Sequence, residues 1–122
     1  MRNVLDRQRN AHLKDGPPSA AQRIDWLDRA IGLLDSHKDA IADALREDFG
    51  HRSVHASLHT DVSGSIAPLR HAMENLRHWM KREKRKVSPA ILGLLGARAY
   101  VQYQPKGTLG IIAPVTFPLN LT

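Results

Sequence analysis

The sequence predicts a mainly α-helical chain that ends in a β-hairpin or two short strands. Three observations carry this. An apolar seam of helical spacing runs from Leu58 to Met80, a capping box opens at Ser19, and residues 98–104 alternate in polarity. The expected organisation is a helical region over 1–87 and a strand-turn-strand region over 97–122, within one domain of 122 residues.

Met1 to Lys14 reads as a short helix with a thin apolar face of Val4, Leu5, Ala11 and Leu13. Asp15-Gly16-Pro17-Pro18 stops it, because prolines cannot continue a helix. Ser19 with Gln22 three residues later predicts a capping box. Behind it Ile24, Leu27, Ile31 and Leu34 step by three or four and form one amphipathic stripe. Ser36-His37-Lys38 reads as a tight joint, and Asp39 as the cap of the next helix. Ile41, Leu45 and Phe49 give that helix its inner face, and Gly50 its left-handed stop.

Ser53 begins the longest helix. Leu58, Val62, Ile66, Leu69, Met73, Leu76 and Met80 recur at steps of three and four, about six turns of continuous seam. Gly64 and Pro68 predict a kink near its middle. Lys81 to Lys86 reads as its cationic end, where positive charge complements the helix dipole. Ser88-Pro89 opens a linker that holds the apolar ILGLLGA. From Arg98 to Gln104, Ala99, Val101 and Tyr103 alternate with polar or tyrosyl positions, as in a strand. A turn at Gln104-Pro105-Lys106-Gly107 then leads to an apolar terminal run with Ile111 and Ile112.

Composition narrows the function classes. The chain has no cysteine, which excludes disulfides, thiolate metal sites and a cysteine nucleophile within it. No apolar stretch approaches the roughly 20 residues that span a bilayer, and MRNVLDRQRN is too polar for a secretory signal. A cytoplasmic location is the expectation. The net charge of +6 is concentrated between Arg70 and Arg98, where eight Lys or Arg face Glu74 and Glu83.

Two clusters invite a ligand. His51, His55 and His59 recur every fourth residue with Asp61 nearby, a spacing that could hold zinc. No carboxylate interrupts the pair in the H-E-x-x-H manner, so polar histidines on a solvated helix start are the better account, and no metal is expected. The basic run KREKRK could meet nucleic acid or an acidic membrane. It lacks stacking aromatics beyond Trp79, and a solvated helix end is preferred.

The terminal run KGTLGIIAPVTFPLNL resembles the aldehyde dehydrogenase superfamily segment written G-V-V-G-I-I-x-P-W-N-F-P-L. Gly107, Gly110, Ile111, Ile112, Pro114, Phe117, Pro118 and Leu119 occupy its positions. Upstream, DGPPSAAQRIDWLDRAIGLLDSHKDAIADALREDFGHRS and YVQYQPKG are similar to the amino-terminal part of the coniferyl aldehyde dehydrogenase branch. The parent fold implied is α/β with a Rossmann-type sheet. The reaction implied is NAD(P)-dependent oxidation of an aldehyde, coniferyl or another aromatic one, to a carboxylic acid.

By that resemblance Ile112, Ala113, Pro114, Val115 and Thr116 are the cofactor-binding residues, with NAD or NADP as the cofactor. Val115 stands where the motif has Trp, and Thr116 occupies the place of the Asn that donates to the oxyanion. Such donors contribute about 10²–10³ in rate. Threonine is shorter and stiff at χ1, so no catalytic residue is assigned. The family's cysteine nucleophile, glutamate base and phosphate loop have no counterpart here, and no G-x-G-x-x-G occurs. The expectation is a truncated or decayed gene product, or a fragment, that is inactive alone. Uncovered apolar faces predict self-association or a homo-oligomer. The alternative is a non-catalytic helical module that docks a partner subunit or nucleic acid through its seam or basic patch.

Overall fold

A computed structural model describes residues 2–121 of the chain. Its helices are α1 (Arg2–Asp15), α2 (Ala20–Ser36), α3 (Lys38–Phe49) and a long helix from residue 54 to residue 79. The long helix comprises α4 (Val54–Ser57), a π-helical segment (Leu58–Ser63) and α5 (Gly64–Trp79). Strand β1 (Glu83–Arg85), the short α6 (Ala90–Leu94) and strand β2 (Ala99–Val101) follow.

The capping box at Ser19 forms as the sequence predicts. Ser19 N–H donates to Gln22 Oε1 at 2.9 Å, and Gln22 N–H donates to Ser19 Oγ at 3.2 Å. Two of the free donors at the helix start are thereby satisfied. At the next joint the structure corrects the expectation. His37 is the N-cap of α3, without a side-chain cap bond, and Asp39 sits inside the first turn. There its negative charge still favours the helix dipole. Gly50 ends α3 at φ 71°, and its N–H donates to Arg46 O, the left-handed stop that a Cβ would strain.

Helix α2 lies along α5, and α3 packs on α4 and the π-helical segment. The predicted stripes face these contacts: Ile24, Leu27, Ile31 and Leu34 are half-buried, as are Leu58, Ile66, Leu69 and Met73. Among the described residues the buried apolar side chains are Ala42, Leu45, Val62 and Leu76. Burial of each large one stabilises the fold by about 1.5–3 kcal/mol. This is a small core, and α1 adds no buried residue to it.

The kink expected in the long helix takes the form of the π-helical segment, one turn before Pro68. Proline has no N–H for the carbonyl four residues back, so the hydrogen-bond ladder is already broken around Gly64. The wider turn brings a polar row, Ser57 and Asp61, to full burial beside Val62.

The cationic run departs from expectation. The long helix ends at Trp79 with Met80 as its C-cap, and Glu83–Arg85 is a strand, not a helix end. It pairs antiparallel with β2 in the register Glu83–Val101, Lys84–Tyr100 and Arg85–Ala99. A helical KREKRK would stack like charges three and four residues apart, which is destabilising. The strand instead places Arg82 over the Tyr100 ring at 4.6 Å and lets its Nε donate to Gln102 Oε1 at 2.8 Å.

The fold class holds: a mainly helical chain with a two-stranded antiparallel sheet. The partner of residues 99–101 is nevertheless β1 and not the terminal run. Residues 106–114 carry no strand, and the linker segment ILGLLGA contains α6.

Candidate functional site

The terminal run is hydrogen-bonded to the helical region at Arg52. Arg52, just after Gly50, donates through Nη1 to the carbonyl of Thr116 at 2.7 Å. Its other terminal nitrogen, Nη2, pairs with Asp61 Oδ2. Thr60 Oγ1 donates to the same carboxylate oxygen at 3.1 Å. The guanidinium lies over two rings, 5.1 Å from the Phe49 centroid and 5.3 Å from that of Phe117. The pair is shielded from water: the Arg52 side chain is 14% exposed and that of Asp61 0%.

Each part of this junction has a local cause. Gly50 turns the chain out of α3, so Phe49 and Arg52 flank the turn. The π-helical segment directs Asp61 inward to meet Arg52. Beyond it, Asn120 rests on Gly64, where a Cβ would stand 3.0 Å from Asn120 Nδ2. An open cleft of about 460 Å³ lies alongside, lined by His59, Thr60, Gly64, Phe117, Asn120 and Leu121. Asp61 Oδ1 and Ser57 Oγ are buried without a hydrogen-bond partner among the described residues.

Of the residues that the motif resemblance assigns to a cofactor, Ile112, Ala113, Val115 and Thr116 are exposed and Pro114 is half-buried. Ile112 is 98% exposed and Val115 80%. None of the five lines any described cleft. The structure brings Thr116 to Arg52 through its backbone and leaves the other four as one open stretch. A dinucleotide needs a concave, largely enclosed surface with a few fixed polar groups. By themselves these residues do not make one.

The histidines do not converge on a metal site. Among the described residues no group of three or more His, Cys, Asp or Glu could hold an ion. His51, His55 and His59 are exposed, and Asp61 is turned inward to Arg52. The basic run, with Arg98, edges an open cleft of about 630 Å³ that also includes Tyr100. No helix among the described residues is long and apolar enough to cross a membrane.

Sequence reasoning missed Arg52. It has no helical period to belong to, and its partner Asp61 reads as one more polar residue among histidines. The available signal was the pair of phenylalanines, Phe49 and Phe117, each beside a chain reversal.

Comparison with known proteins agrees with the motif. The profile of the aldehyde dehydrogenase family matches residues 9–122. A probable coniferyl aldehyde dehydrogenase of Caulobacter vibrioides is 60% identical over 122 residues, which is 100% of this chain and 25% of the relative. A coniferyl aldehyde dehydrogenase of Pseudomonas sp. strain HR199 is 41% identical over 119 residues, 98% of this chain and 24% of the relative. Human aldehyde dehydrogenase family 3 member B1 is 37% identical over 90 residues, 74% of this chain and 18% of the relative. No solved structure matches the chain significantly. The chain thus spans about a quarter of the length of the curated relatives that cover it most fully. The profile match over nearly all of its residues establishes that the chain belongs to the aldehyde dehydrogenase family.

Proposed function

We infer that this chain is the amino-terminal portion of an NAD(P)-dependent aldehyde dehydrogenase that oxidises coniferyl or another aromatic aldehyde to its carboxylic acid. Aldehyde dehydrogenases generally use NAD(P) and are generally oligomeric. In this reading residues 97–122 begin the cofactor-binding sheet of the longer enzyme, and residues 1–87 are the helical layer that supports it. Ile112 to Thr116 face the cofactor once the remaining sheet encloses them. The chain by itself holds no counterpart of the family's cysteine nucleophile and glutamate base, and in this reading it is catalytically silent. The supporting observation is the terminal run, in which the motif residues carry no strand and are tied to the helical region at Thr116.

Thr116 sets the chemistry expected of the whole. A hydroxyl in place of the carboxamide donor weakens stabilisation of an oxyanion. The test is a chimera in which residues 1–122 replace the matching segment of the Caulobacter relative. It is assayed with coniferyl aldehyde and either nucleotide by the absorbance of the reduced nicotinamide. The expected result is slow turnover that T116N raises by about 10²–10³, while the isolated chain shows none. Enzyme-like oxidation by the isolated chain, or a folded chimera indifferent to T116N, contradicts the reading.

A further inference from the structure

Arg52 joins segments 64 residues apart in sequence, and both of its terminal nitrogens are engaged. Nη2 meets the fully buried Asp61, Nη1 donates to the Thr116 carbonyl, and the rings of Phe49 and Phe117 both lie against it. A guanidinium is a planar fork whose donors diverge at fixed angles. Once Asp61 fixes one arm, the other arm fixes where the carbonyl must lie. The carboxylate itself cannot swing away, because it sits inside the π-helical segment with no exposed surface.

We propose that Arg52, seated on Asp61, is the positioning residue for the Val115–Thr116–Phe117 turn, setting the placement of Thr116 through its backbone carbonyl. The proposal deepens the functional reading above and rests on it for the turn's role beside the cofactor. Arg52 does not reach a reacting atom. It works through Thr116, whose side chain occupies the oxyanion-donor place in the motif. Its hold is independent of which side chain stands at 116, because it acts on the main chain. Lysine cannot substitute: a single ammonium reaches either the carboxylate or the carbonyl and offers no plane for two rings. Within the turn, Leu121 N–H donates to Phe117 O at 3.3 Å.

The test uses the whole chain and R52K, followed by NMR. In R52K the Thr116 carbonyl ¹³C resonance is expected to move upfield as it loses its charged donor. The Leu121 amide is expected to exchange about tenfold faster or more, with amides of α2 and α5 unchanged. A merely structural charge, satisfied by any cation near Asp61, leaves both turn signals where they are, and that result overturns the proposal. Should R52K unfold the helices, F117L decides, since it keeps the ion pair and removes one covering ring. Faster Leu121 exchange upholds the clamp, and unchanged exchange sinks it. Neither nucleotide nor aldehyde enters this measurement, so an inactive chimera bears on the functional reading alone.

Discussion

The helical layer and the terminal run of this chain are stabilised in opposite ways. Between Ala20 and Trp79 the helices bury one another: the stripes of α2 and α5 meet, and Leu45, Val62 and Leu76 close the small core. From Lys106 to Leu121 no residue is fully buried by the chain's own atoms, and Ile111, Ile112, Val115 and Leu121 stand open to water. One region carries its own burial; the other is largely exposed apolar sequence, hydrogen-bonded to the helical region at Arg52. An isoleucine 98% exposed at the centre of such a run is a side chain without its neighbours. In the longer enzyme that we infer, those neighbours are the rest of the sheet.

The largest expected effect comes from cutting the junction on its buried side. Arg52→Met leaves the buried Asp61 without its cation, at a cost of about 3–5 kcal/mol, read as a lowered midpoint in urea. Combining it with Asp61→Leu recovers most of that loss, because a buried pair replaced by apolar groups is nearly neutral. A single variant that unfolds like the wild type shows the junction to be a screened surface contact, and the comparison then loses its hinge.

Within the helical layer, Leu76→Ala removes a side chain only 5% exposed and is expected to cost about 2–5 kcal/mol. Thermal unfolding checks it. A cost below about 1 kcal/mol places α5 outside any real core and erases the contrast between the regions. Ser19→Ala removes the capping oxygen of α2 and is expected to cost about 1 kcal/mol, visible as a modest fall in the same midpoint. The smallest effect belongs to the terminal run. Ile112→Ser changes stability by no more than about 0.5 kcal/mol yet lowers self-association in sedimentation velocity, since it removes exposed apolar surface. A folded chain that is monomeric before and after the substitution argues that the run is not sticky.

Much of this contrast was legible in the residues. The helical stripes, the Ser19–Gln22 box, the Gly50 stop and the break in the long helix all follow from local rules that depend on neighbours within one or two turns. What escaped depended on distance. KREKRK looks like a cationic helix end until Tyr100 and Gln102 offer Arg82 a place across a strand pair. Asp39 looks like a cap until His37 takes that position. The terminal run reads as a strand because Gly110, Ile111 and Ile112 have strand composition. The structure instead pairs β2 with β1, and residues 106–114 carry no strand. At the candidate site the motif located Thr116, whereas Arg52 and Asp61 could be found only once the fold brought residues 52, 61 and 116 together.

Hydrogen exchange across the chain, followed by mass spectrometry of its peptides, tests the central contrast most directly. Peptides within residues 20–79 are expected to be protected in proportion to global stability, and those within 106–116 to exchange at nearly the rate of an unfolded chain. Equal protection of the two would contradict the account, because the terminal run would then be covered by this chain alone.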